Sequence, residues 1–241
     1  MSVHVLPDAQ RAAEACGDRI LELLRKAGAR PTLAISGGST PKLMFEYMAR
    51  RPFAWDSMHL FWVDERAVPP SDPQSNFKLA NETLIEPAGI PAANVHRILA
   101  ELHPEDAARR YALEIQEFFN LRPSTVPVFD VMHRGIGPDA HTASLFPGEP
   151  LINNRDGIAA AVYVEKLRSW RITLLPGVLI AASNTVMLVA GPDKTEPLER
   201  IFHGPLDPVR YPAQVVPNDP RKVCWYLDEA ADLPSASLAE P

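Results

Sequence analysis

Apolar runs of five or six residues, set between segments whose apolar residues recur at helical spacing, leave few folds open to this chain. Strands are read at Thr32 to Ser36, His59 to Val63, Val95 to Leu99, Val128 to Met132, Ala159 to Val164, Val186 to Ala190 and Val223 to Leu227. The clearest helical patterns run from Asp8, a fitting N-cap, to about Lys26, and from Glu105 to Leu121. On the first of these, Cys16, Ile20, Leu23, Leu24 and Ala27 share a face. Another helix is expected near Pro41, which suits a first helical position because its absent N–H would be unpaired there. Its inner face is Leu43, Met44, Tyr47 and Met48. Strands alternating with helices imply an α/β fold, an open, mainly parallel, twisted sheet with helices on both faces. Ligands bind such sheets outside the carboxyl ends of the strands, so chemistry is expected in the loops that follow strands.

Of the 241 residues, 46% are hydrophobic, enough for a real core, and one domain over residues 1–241 is expected, with a weakly periodic tail from Ala230 to Pro241. The formal net charge of -6 offers nothing to nucleic acid or an anionic membrane, so an anionic substrate must be held by a local group of cations. Met1 to Pro7 lacks the basic-then-apolar order of a signal peptide, and the most apolar stretch, Ile172 to Ala182, is short and broken by Pro176 and Gly177. A cytoplasmic location is therefore expected. The two cysteines, Cys16 and Cys224, read as small core residues in a reducing compartment.

Three loops carry unusual residues. Ser36-Gly37-Gly38-Ser39-Thr40-Pro41 lies between a strand and a helix start; it reads either as a phosphate cradle, with backbone N–H groups and the helix dipole facing an anion, or as an ordinary turn capped by Thr40. Trp62-Val63-Asp64-Glu65-Arg66 ends an apolar strand in packed charges. By itself it reads as a solvated loop, or as two carboxylates and an arginine placed to orient a sugar and an anion. The third, Gly135 to Gly148, presents Asp139 and His141 two residues apart. It fits G-x-G-x-x-A formally, but Pro138 inside the turn and the early stop at Pro147 argue against a dinucleotide site. No G-x-S-x-G, H-E-x-x-H or paired-Cys metal pattern occurs, so neither metal nor cofactor is expected. A hydrolase built from these parts would use a histidine to activate water directly, which suits an already reactive ester.

Taken together, SGGSTP at Ser36 to Pro41, FWVDERAVPPSDPQSNF at Phe61 to Phe77, GIGPDAHTASLFPG at Gly135 to Gly148, RITL at Arg171 to Leu174 and VAGPDKTEPLERIF at Val189 to Phe202 resemble the 6-phosphogluconolactonase family. The resemblance implies an open parallel sheet shared with glucosamine-6-phosphate deaminases, and hydrolysis of a phosphorylated sugar lactone. It implies His141 as the general base with Asp139 orienting it, Asp64 and Arg66 lining the sugar, and Gly37, Gly38, Ser39 and Thr40 holding phosphate. Lys194 resembles the phosphate-binding lysine of the deaminases, and Arg168 and Arg171 are further cations of the same kind.

The chain departs from the family pattern in two places. Ala140 stands where the family has glycine, which matters if the position needs positive φ. His133-Arg134 stands where two apolar residues are usual, as a tolerated edge, an added cation for substrate or a mark of altered activity. The alternatives are a glucosamine-6-phosphate deaminase, whose text after the histidine would carry a carboxylate absent from Ser144-Leu145-Phe146-Pro147, and a non-catalytic sugar-phosphate sensor.

Overall fold

The computed structural model describes residues 2–216, 219 and 221–232, so most of the expected tail lies outside the described residues. In chain order it runs β1 (Ser2–Leu6), α1 (Ala9–Lys26), β2 (Thr32–Ile35), α2 (Ser39–Met48), β3 (His59–Trp62) and β4 (Asp64–Arg66). There follow α3 (Asn76–Ala80), a π turn, α4 (Glu86–Ala88), β5 (Val95–His96), α5 (Pro104–Phe118) and β6 (Val131–Arg134). The last elements are β7 (Ala159–Val164), β8 (Ser169–Leu174), α6 (Pro176–Ala181), β9 (Asn184–Val189), α7 (Thr195–Phe202) and β10 (Val223–Asp228).

Seven strands form one sheet in the order β1-β10-β9-β6-β2-β3-β5, every pair parallel. The chain builds outward from β2 through β3 to β5, then returns to lay β6 on the other side of β2. Loops leaving β2 and β6 therefore diverge, and a crevice opens between them at the carboxyl end of the sheet. Helices cover both faces, and β9 shows why: Val186 and Leu188 enter the core cluster that holds α1 and α2, while Met187 and Val189 enter a second cluster with Leu198 of α7 and Trp225 of β10.

Local chemistry places the elements. Asp8 caps α1, its carboxylate accepting from the N–H of Arg11 at 2.8 Å, and Arg25 and Lys26 complement the helix dipole in the last turn. Cys16 is buried on that helix, and both cysteines are free. No helix among the described residues is long and apolar enough to cross a membrane.

Several expectations are corrected. A second sheet, β4-β8-β7, is antiparallel and begins directly after β3, where only a loop was foreseen. Ser2–Leu6, where no strand is read from sequence, pairs with β10 as an edge strand. The strand expected at Val128 to Met132 is shifted to Val131–Arg134, that at Val95 to Leu99 shrinks to two residues, and Pro41 is the third residue of α2. Pro41 still fits, because the N–H groups of a first helical turn have no intrahelical acceptor.

Candidate active site

The ends of β2, β3, β6 and β9 meet at a cavity of about 290 Å³ whose wall includes Gly37, Gly38, Ser39, Thr40, Asp64, Arg66, His141 and Lys194. After β2 the backbone turns through Gly38 at φ 136° into α2, presenting the first N–H groups of that helix and the positive end of its dipole to the cavity. Gly38 is the N-cap, so Thr40 lies inside the helix and does not cap it. A Cβ on Gly37 would lie 2.0 Å from Asn76 Oδ1, so only glycine lets the loop close against α3.

Beyond β3, strand alternation separates the charges of β4. Asp64 and Arg66 point to one side and Glu65 to the other. Buried Asp64 accepts from Ser144 Oγ at 2.7 Å, which ties the second loop to the third. Arg66 Nη1 donates to the carbonyl of Gln74 at 2.5 Å, and its Nε is buried without a partner. Glu65, expected to share the sugar site, is instead a structural clamp. Its carboxylate accepts from Ser75 Oγ and from the N–H groups of Arg66, Asn76 and Phe77, and burial pushes its pKa up while the backbone donors pull it down.

The loop after β6 is folded on itself around the histidine. Gly137 N–H donates to the His141 carbonyl at 2.9 Å, Thr142 Oγ1 donates to the Gly135 carbonyl at 3.0 Å, and Ala140 adopts φ 62°. A Cβ on Gly137 would fall 2.0 Å from the imidazole, so the ring can lie there only because the residue is glycine. His141 Nδ1 donates to Asp139 Oδ1 at 2.5 Å, which leaves the lone pair of the neutral ring on Nε2. The ring also stacks on Phe146 at 4.3 Å. Burial is the main cause that lowers the His141 pKa to about 4; Asp64 opposes it, while Lys194, Arg171 and Arg66 add to it. At neutral pH the ring is thus a free base.

Lys194 follows β9 at the mouth of α7, with its side chain 17% exposed and its Nζ donating to Asp193 at 2.6 Å. Arg171 on β8 stands directly across the ladder from Arg66, off the cavity wall, with its Nε buried and unpartnered. Burial and then the Arg66 charge lower its pKa, the signature of two like cations held side by side. Arg168 is not brought to the site. It occupies the exposed turn between β7 and β8, at φ 46°.

His133 and Arg134 are neither an edge nor a substrate cation. Both are fully buried in β6 between β2 and β9, off the cavity wall, and their side-chain nitrogens have no protein partner. Three residues that sequence reading left without a role do reach the site. Asn76 holds the Asp64 carbonyl through Nδ2 at 2.9 Å, Ser144 holds the Asp64 side chain, and Lys166 is hydrogen-bonded to Asp139 Oδ2. Asn76 lay within the SDPQSNF text; Lys166 gave no local signal, because its partner is far away in sequence.

Comparison with known proteins identifies the family. Residues 7–225 match the family model described as glucosamine-6-phosphate isomerases/6-phosphogluconolactonase. The chain is 37% identical to a 6-phosphogluconolactonase of Nostoc sp. over 234 residues, 95% of this chain and 96% of that protein. The crystal structure of the devB protein superposes with a TM-score of 0.87 at 33% identity, covering 99% of both chains. That of 6-phosphogluconolactonase from Thermotoga maritima gives 0.82 at 28% identity, covering 95% of this chain and 99% of the other. With fold, loops and relatives in agreement, the chain belongs to the glucosamine-6-phosphate isomerase/6-phosphogluconolactonase family.

Proposed function

We propose that this chain is a cytoplasmic enzyme that hydrolyses 6-phospho-D-glucono-1,5-lactone to 6-phospho-D-gluconate in the pentose phosphate pathway, with His141 as the base that activates water. The observation that carries the reading is His141, held from behind by Asp139, on the wall of a cavity that Lys194 and the opening of α2 also line. An anion bound by the first N–H groups of α2 and by Lys194 would leave the sugar ring extending toward Asp64, Arg66 and His141.

The chemistry then follows from the tautomer. Water attacks the lactone carbonyl carbon while its proton passes to His141 Nε2, and the carbonyl becomes an oxyanion beside the Arg66 cation. Collapse breaks the bond to the ring oxygen, which takes the proton back from the imidazolium, so His141 returns to its neutral form. Asp139 keeps Nδ1 as the donor throughout and stabilises the transient charge. A lactone is reactive enough for one positioned base to suffice, in keeping with a site without a nucleophilic elbow.

The lactone opens spontaneously, so the test generates it freshly and compares the opening rate with and without protein. The same preparation is assayed for ammonia release from glucosamine 6-phosphate. Accelerated lactone opening without ammonia is the expected result. Background-rate opening with ammonia release would assign the chain to the deaminase reaction.

A further inference from the structure

Behind the His141–Asp139 pair lies a second cavity of about 440 Å³, between the third loop and the turn joining β7 to β8, with Asp139, Phe146, Glu149, Tyr163, Glu165 and Lys166 on its wall. Asp139 therefore stands between His141 and this second space. One carboxylate oxygen faces His141, and the other is held by Lys166 from the far side. Lys166 Nζ also sits 4.5 Å from the centre of the Phe146 ring, and that ring stacks on the His141 imidazole. Two routes, one through the carboxylate and one through the aromatic ring, thus connect a single lysine to the base.

We propose that Lys166 is a positioning residue that completes a Lys166–Asp139–His141 relay and sets the basicity of His141. The inference rests on the reading of His141 as the base. A carboxylate with one donor can swing about its side-chain torsions, whereas a donor on each oxygen fixes its plane and so the plane of the imidazole. The cation also shares the carboxylate charge, weakening its pull on an imidazolium and lowering the pH at which His141 takes up a proton. The other charges that face the base are Asp64, Lys194, Arg171 and Arg66, all of them unchanged by substitution at Lys166. Glu149 and Glu165 are the acidic groups on the Lys166 side. A solvent-exposed ion pair with no such role would leave the base indifferent to its loss.

The test follows the His141 imidazole by NMR titration, beside the pH dependence of kcat and KM, in the wild type, Lys166→Met and Lys166→Arg. In folded Lys166→Met the His141 titration and the acid limb of kcat are both expected to move up by about one pH unit, since Asp139 then loses its cation and keeps only the two donors of His141 itself, Nδ1 and the backbone N–H. kcat at neutral pH is expected to fall about tenfold with KM within about twofold, because the substrate contacts are untouched. Lys166→Arg, which keeps the charge and a donor, is expected to restore both. A folded Lys166→Met protein whose His141 titration and acid limb stay at the wild-type positions would overturn the relay, while a simultaneous loss of turnover in His141→Ala would leave the base assignment standing. Full turnover in a folded His141→Ala protein would instead remove the base, and the relay with it.

Discussion

Ala140 precedes the base at φ 62° and is buried, so its methyl group is a small test of the loop. A left-handed conformation costs an alanine about 1–2 kcal/mol relative to glycine. Against that, alanine gains about 0.4–1 kcal/mol by restricting the unfolded chain and about 0.8 kcal/mol by burying a methyl. The terms nearly cancel, which is why this chain tolerates the side chain where the family pattern has glycine. Ala140→Gly is accordingly expected to change stability by less than about 1 kcal/mol and to leave turnover intact. Thermal melts and steady-state kinetics check both, and a large loss of either would mean that the methyl positions His141. Lys194→Ala addresses the anion. A charge-assisted contact worth roughly 1.5–3 kcal/mol predicts a loss of about 10- to 100-fold in kcat/KM for the phosphorylated lactone, with little change for unphosphorylated gluconolactone. Equal losses on both lactones would place Lys194 in the structure or chemistry of the site instead of the phosphate contact. The residues of the site that were legible in sequence are those crowded into one loop, such as Asp139 and His141. Lys166, Ser144 and Glu65 were not, because what they do depends on a partner brought from elsewhere, or on which face of a strand they take.

The same limit governs the elements. Long periodic segments such as α1 declare themselves, since many apolar side chains vote for one face. The three residues of β4 carry no apolar alternation at all, so the small antiparallel sheet was invisible until β8 supplied its partner. In β6 the apolar run at Val128 to Met132 covers only the first two residues of the strand, because pairing with β9 carries it on through His133 and Arg134, both buried. Burial lowers the Arg134 pKa to about 9 and that of His133 to about 3. Replacing buried, unpartnered polar groups by apolar side chains of similar volume is commonly neutral to stabilising by about 1–4 kcal/mol. The pair His133→Leu and Arg134→Met is therefore expected to raise the denaturant midpoint without altering KM, as neither side chain lines the cavity. A lower midpoint would show that these nitrogens hold the strand in place.

Across the whole molecule, the return of the chain to β6 beside β2 creates the crevice, and β/α alternation alone pointed to the strand ends, where the cavity lies. Burial also gives the molecule a characteristic response to acid. His59, His133 and His141 are lowered by burial to about 4, 3 and 4, whereas an unfolded histidine titrates near 6.5. Between those values the unfolded chain binds protons that the native state refuses, so stability is expected to fall as pH drops from about 6.5 toward 4. Denaturant titrations at several pH values check the sign, and a rise in stability over that window would contradict it. Activity should persist further into acid than a free imidazole allows, because His141 remains a base until pH approaches about 4. The most direct measurement is the turnover of freshly generated 6-phosphogluconolactone by folded His141→Ala protein beside the wild type. A loss of about 10²–10⁴-fold is predicted for removal of a positioned base, and unchanged turnover would contradict the mechanism proposed for this site.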